Sequence, residues 1–146
     1  MKNIETDIMI RSSPEKVWMV LTDFSKYPMW NPFIREVSGE ARTGARLRVR
    51  IEPPGGKEMV FRPMVYTASP GKELRWIGHI VFPGLFDGEH AFRIEEVGQD
   101  EIRFRQSEQF RGILVPLFSG TLYERTREGF EKMNQALKET AEKRPN

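Results

Sequence analysis

The sequence predicts an α+β fold, in which a curved antiparallel sheet of about seven strands wraps around one long C-terminal helix and two short helices follow the first strand. Three observations predict it. The alternating apolar segments of the middle of the chain are separated only by short breakers: Thr43-Gly44, Pro53-Pro54-Gly55-Gly56, Ser69-Pro70-Gly71 and Phe82-Pro83-Gly84. Connections that short join antiparallel neighbours. From about Ser119 the chain becomes charged and helix-favouring, and Leu122, Thr126, Phe130, Met133, Leu137 and Ala141 recur at three- to four-residue spacing, the stripe of an amphipathic helix of roughly 20 residues or more. A sheet of this kind cannot leave its apolar face bare, and the last helix is the only large element available to cover it.

In chain order, Ile4, Thr6, Ile8 and Ile10 alternate and suit a first strand. Ser13-Pro14-Glu15 then reads as a helix start: serine caps, proline is tolerated at the first position, and glutamate favours the positive end of the dipole. Val17, Trp18, Val20, Leu21 and Phe24 give that helix its apolar face. Pro28 and Pro32 prevent one continuous helix from there to Phe33, so a short helical turn running into a strand is expected. Strands follow at about 33–38, 45–52, 58–68, 72–81, 86–97 and 101–111. The segment Gly112 to Phe118, with Pro116, is either the first turn of the long helix or a separate piece, and residues 143–146 are expected to fray.

The 146 residues, 38% hydrophobic and 30% charged, fit one domain spanning 1–146. No apolar run approaches the ~20 residues of a membrane span, so integral membrane association is not expected. The N-terminus lacks the apolar core of a secretory signal, and the expected compartment is the cytoplasm. The absence of cysteine excludes disulfides, thiolate metal sites and a cysteine nucleophile. With two histidines, His79 and His90, no metal or other cofactor is expected. Net charge is +2, and arginines such as Arg46, Arg48 and Arg50 alternate with Leu47, Val49 and Ile51 among interleaved acidic residues. That pattern is a solvated sheet face, not the concentrated patch of a nucleic-acid surface. Exposed edge strands leave monomer and homodimer both open.

Chemistry concentrates between Gly84 and Phe110. A turn at Gly98-Gln99-Asp100 pairs Ile94 with Phe104, Phe92 with Gln106 and His90 with Glu108, which puts a histidine opposite a glutamate on an otherwise apolar wall. Buried ionisable groups are costly unless paired. The expected inner wall comprises Val49, Ile51, Trp76, Gly78, His90, Phe92, Phe104, Gln106, Glu108 and Phe110. A turn centred on 83–84 places Gly78 near His90 and Trp76 near Phe92. The last helix is expected to add Leu114, Phe118, Leu122, Gly129, Phe130 and Met133. Gly129 is either a notch that widens a cavity or an exposed or close-packed glycine. Trp30 and Phe33 either form a lid at a cavity mouth or pack beneath the short helices. In one strand parity Arg62 faces inward near Gly78; in the other, Phe61, Pro63 and Val65 turn inward and Arg62 meets solvent. His79 is expected on the exposed face.

Four pieces of this order resemble the helix-grip fold of the START-like, or SRPBCC, superfamily. They are Ser13-Pro14-Glu15-Lys16-Val17-Trp18; Tyr27-Pro28-Met29-Trp30-Asn31-Pro32-Phe33; Leu74-Arg75-Trp76 with Pro83-Gly84-Leu85-Phe86-Asp87-Gly88-Glu89-His90; and Phe110 to Pro116 leading into Gly129-Phe130-Glu131-Lys132-Met133-Asn134. Locally the match is closer to bacterial polyketide cyclase/dehydratase-like proteins, and the resemblance covers nearly the whole chain. The resemblance implies a cavity between sheet and helix that binds a hydrophobic small molecule, such as a lipid, a polyketide or an aromatic compound. The competing implications are a cyclase/dehydratase-type enzyme, with His90 and Glu108 as acid/base and Gln106 donating to an oxyanion, and a co-chaperone-like interaction module with a filled cavity.

Overall fold

The computed structural model describes residues 2–79, 84–117 and 120–143. Strand β1 (Lys2–Ile10) leads to helix α1 (Pro14–Thr22), a 3-10 turn (Phe24–Lys26) and the one-turn helix α2 (Tyr27–Trp30). Then come β2 (Ile34–Ser38), β3 (Arg48–Ile51), β4 (Met59–Phe61), β5 (Met64–Ser69), β6 (Glu73–His79), β7 (Asp87–Gly98) and β8 (Glu101–Arg111). A 3-10 turn (Val115–Leu117) precedes α3 (Gly120–Lys143). This is the helix-grip arrangement: antiparallel strands packed against a long C-terminal helix, with two short helices after β1.

The described strands form two sheets, one ordered β1-β8-β7-β6-β5 and one β2-β3-β4. The expected single strand over 58–68 is thus two strands, broken at Pro63, which cannot donate to a ladder. At this break the sheets are joined by main-chain bonds: Leu47 N–H to the carbonyl of Pro63 and Val65 N–H to the carbonyl of Ala45, both at 2.8 Å. A bridge between Arg46 and Met64 lies beside them. Val65 and Pro63 are buried and Arg62 is exposed, so the parity with Arg62 in solvent is the one adopted.

The β7–β8 hairpin has the expected register, with His90 opposite Glu108, Phe92 opposite Gln106 and Ile94 opposite Phe104. The β6–β7 register differs by two residues: Trp76 pairs with His90, Gly78 with Gly88 and Leu74 with Phe92. A shift of two keeps every side chain on its expected face, because the strand period is two. The turn thought to set this register lies largely outside the described residues.

α1 begins as its sequence dictates. The Ser13 hydroxyl accepts the Lys16 N–H at 3.2 Å, and Pro14 occupies the first turn. Val17, Val20 and Leu21 are buried, and Tyr27, fully buried beneath them, donates its hydroxyl to the carbonyl of Leu21. Burial pushes that phenol far above its ordinary pKa. α3 buries Thr126, Gly129, Phe130, Met133, Asn134, Leu137 and Ala141 against the sheet. The Val115–Leu117 turn is a separate piece. Gly112, at φ +122°, turns the chain out of β8 where a Cβ would strike the carbonyl of Leu85.

Candidate functional site

Between the sheets and α3 lies a cavity of about 320 Å³. Its floor is the β6–β7–β8 face carrying Trp76, Gly78, Gly88, His90, Glu108 and Phe110. Val49, Ile51, Met59, Phe61 and Pro63 from the smaller sheet and its junction close one side, with Phe33 and Ile34 beside them. Leu114, Leu122 and Thr126 close the helix side, and Phe86 completes the lining. Asn31 positions Phe33 and Ile34, its Oδ1 accepting both main-chain N–H groups at 2.9 and 2.8 Å.

Of the residues expected on this wall, Trp76, Gly78, His90, Glu108, Phe110, Leu122 and Phe33 line the cavity, as do Val49, Ile51 and Leu114. Phe92, Phe104, Gln106, Phe130 and Met133 do not. They are fully buried in the core beyond it, where α3 sits directly on the sheet. The reason is bulk: the Phe130 ring lies 4.9 Å from that of His90, and His90 lies 4.5 Å from Phe92, so aromatic rings fill the space below the histidine. Gly129 widens nothing. The ring of Phe33 occupies the place its Cβ would take, so this glycine serves close packing. Trp30 forms no lid over the cavity; its ring packs edge-on against Tyr27 at 5.1 Å, and it lines a separate surface groove with Met29, Pro32 and Lys132. Phe118 lies outside the described residues.

Gly88, Phe86, Ile34, Met59 and Thr126 complete the wall beyond the expected set, while Phe61 and Pro63 line it as the parity with Arg62 in solvent implies. The first two were open to inference, since Phe86 and Gly88 share the period-two face of His90.

The polar end of the cavity is Glu108 with His90 behind it. Nδ1 of His90 lies 2.9 Å from Oε1 of Glu108, and Nε2 lies 2.9 Å from Oε1 of Gln106. Trp76 flanks the imidazole at 5.4 Å between ring centroids. The His90 side chain is 5% exposed and that of Glu108 18%, so the carboxyl is the part of the pair that reaches open space. Gly88 makes that possible, because a Cβ there would overlap Oε2 of Glu108. Gln106 continues inward: its Nε2 donates to Oδ1 of Asn134 at 2.7 Å, and Asn134 Nδ2 donates to Oγ1 of Thr6 at 2.8 Å. Gln106 therefore sits behind His90, not at an oxyanion position on the wall. Among the described residues, the lining contains neither lysine nor arginine.

Beyond the cavity, His79 is exposed as expected and bonds Asp87 at 2.8 Å, while the Asp87 carboxylate also accepts the Gly84 N–H at 3.1 Å. The hydrogen bond from His79, then that from Gly84, holds the Asp87 carboxyl below its ordinary pKa. Among the described residues, no cluster of three or more His, Asp or Glu side chains is arranged to hold a metal, and no helix is long and apolar enough to cross a membrane.

Among curated proteins, none matches the sequence. Solved structures do match in fold. A START superfamily protein from Mycobacterium smegmatis aligns with a TM-score of 0.76 at 22% identity, covering 97% of each chain. The crystal structure of Ara h 8.0201 aligns with a TM-score of 0.73 at 11% identity, covering 98% of this chain and 99% of that one. The di-domain ARO/CYC BexL of the BE-7585A biosynthetic pathway aligns at 0.72 and 16% identity, covering 94% of this chain and 45% of its own. The likenesses establish the fold, and the sequence itself matches the family described as polyketide cyclase/dehydrase and lipid transport over residues 1–142. A chain that carries this family's sequence pattern almost end to end, folded as a helix grip around an apolar cavity, belongs to that family and to the START-like (SRPBCC) superfamily.

Proposed function

We propose that the protein binds a hydrophobic small molecule, a lipid, polyketide or aromatic compound, in the cavity between the sheets and α3. The single observation that carries this reading is an apolar cavity of about 320 Å³ with one polar end. Unfilled apolar volume costs a protein roughly 24 cal/mol per Å³ in measured cores. A chain selected for stability alone would fill such a space. Cavities of this size and lining suit small-molecule ligands. Membership of a family that includes lipid transport supports the same class of ligand.

Native mass spectrometry of the purified protein, followed by denaturing extraction, tests the reading. The expected result is a co-purifying adduct that is hydrophobic and is released on unfolding. A clean apo mass, together with failure of apolar aromatic probes to bind, would overturn it.

A second reading is a cyclase/dehydratase-type enzyme. The bonded His90–Glu108 pair on the wall favours it, because proton transfer needs an oriented acid/base couple. In that case the carboxyl of Glu108 is the group within reach of substrate, and His90 orients it. The distinguishing result is turnover of a cyclisable polyketide that Glu108→Gln abolishes while binding persists. A co-chaperone-like module requires a filled cavity, and the open one speaks against it.

A further inference from the structure

The hydrogen bonds behind His90 can run in one direction only. A main-chain carbonyl accepts and never donates. Thr6, 3.0 Å from the carbonyl of Gln106, therefore spends its hydroxyl proton there. With that proton committed, Thr6 Oγ1 accepts from Nδ2 of Asn134, which turns Oδ1 of Asn134 toward Gln106. Gln106 answers with Nε2, and the carbonyl of Phe130, 3.5 Å from the same nitrogen, again only accepts. The remaining Gln106 atom, Oε1, is thus an acceptor facing Nε2 of His90, and Nε2 must carry a proton.

That leaves the contact between Nδ1 of His90 and Oε1 of Glu108. Two bare acceptors 2.9 Å apart would repel, so one proton lies between them. On nitrogen, it makes imidazolium and carboxylate; on oxygen, neutral imidazole and neutral acid. The pair carries no net charge in either state, and Oε2 of Glu108 remains an acceptor in both. Both nitrogens of His90 are committed within this chain of bonds, so a molecule in the cavity meets Glu108.

We propose that the cavity selects an electrically neutral, apolar molecule bearing a hydroxyl, a phenol or an alcohol, that donates to Oε2 of Glu108. Gln106, Asn134 and Thr6 are the positioning residues that keep Nε2 of His90 protonated. The inference rests on the ligand-binding reading above. Among the described residues, the wall has no lysine or arginine to compensate an anionic ligand, which would bury its charge beside another carboxyl oxygen. An ammonium would likewise bring a charge into a site that is already neutral.

The test uses three probes of one shape, naphthalene, 2-naphthol and 2-naphthoate, titrated against the protein by NMR at about pH 7, where the naphthol is neutral and the naphthoate ionised. The expected order is naphthol tightest, by on the order of tenfold over naphthalene, and naphthoate weakest. In Glu108→Leu the ratio of naphthol to naphthalene affinity falls toward unity. Imidazole nitrogen-15 shifts are expected to show His90 protonated at Nε2, alone or with Nδ1. In Gln106→Leu the Nδ1–H tautomer should appear, which a merely structural role for Gln106 would not produce. Naphthalene and naphthol binding equally, naphthoate binding tightest, or His90 protonated at Nδ1 alone in the parent protein would overturn the inference while leaving a cavity binder in place. If none of the three probes binds, this inference falls, and with a clean apo mass the cavity-binding reading falls too.

Discussion

Two glycines face the same question, what a methyl group would meet, and the answers differ. At Gly88 the added carbon would overlap Oε2 of Glu108, the far end of a side chain that can swing. Gly88→Ala should therefore change stability by less than about 1 kcal/mol, yet displace the carboxyl. The shift is readable in the imidazole nitrogens of His90, and an unperturbed His90 spectrum would show that Glu108 does not depend on this glycine. At Gly129 the added carbon would overlap the ring of Phe33, which is 2% exposed and packed edge-on against Phe130 at 5.5 Å. Overpacking a core costs about 1–3 kcal/mol, more than the ~1 kcal/mol that alanine gains over glycine in a helix. Denaturant melts should find Gly129→Ala less stable than the parent; a more stable variant would refute the close-packing account.

Elements are held at their ends. Ser13 caps α1 through the Lys16 N–H, and Ser13→Ala should lower stability by about 1 kcal/mol. The start of β7 is tied by Asp87, which gathers His79 and the Gly84 N–H. Because the folded protein holds the Asp87 carboxyl below its ordinary pKa, the folded state binds fewer protons there than the unfolded chain. The stabilisation is complete above the ordinary carboxylate range and is lost as pH falls through the lowered folded value. Amide exchange at the start of β7 should accelerate on acidification through that window in the parent. In Asp87→Asn it should be fast at neutral pH and less dependent on acid. Equal acid sensitivity in both proteins would locate the effect elsewhere.

For the whole molecule, the decisive feature is that α3 lies on the sheet at one end and stands off it at the other. Met133, Leu137 and Ala141 are buried in the core, whereas Leu122 and Thr126 face the cavity. The smaller sheet fills part of the gap without closing it. Gly78 lies on the cavity floor, where an added Cβ would sit in ordinary contact with Pro63. Gly78→Leu should then fill part of the cavity, preserve the fold and weaken binding of an apolar probe such as 2-naphthol by on the order of tenfold. Unchanged affinity would mean that the probe lies elsewhere.

The sequence by itself determined most of the elements and the faces of their strands, though not the break at Pro63 that divides 58–68 between two sheets. The breakers bounded the strands, the Ser-Pro-Glu start set α1, and a short turn at 98–100 fixed the β7–β8 register that brings His90 to Glu108. Those features are local, so propensity, capping and turn length suffice to state them. Where the connection was longer, between β6 and β7, the sequence left the register two residues off, although the period of two preserved the faces. Only the tertiary structure decided depth. Phe92, Phe104 and Gln106 share a face with His90, but they are buried in the core with Phe130 and Met133 of α3, while Trp76, Glu108 and Phe110 border open space. The same placement brought Asn134 and Thr6, far apart in the chain, to the back of Gln106. Helix tilt depends on the summed packing of many side chains against a twisted sheet, and no local pattern encodes that sum.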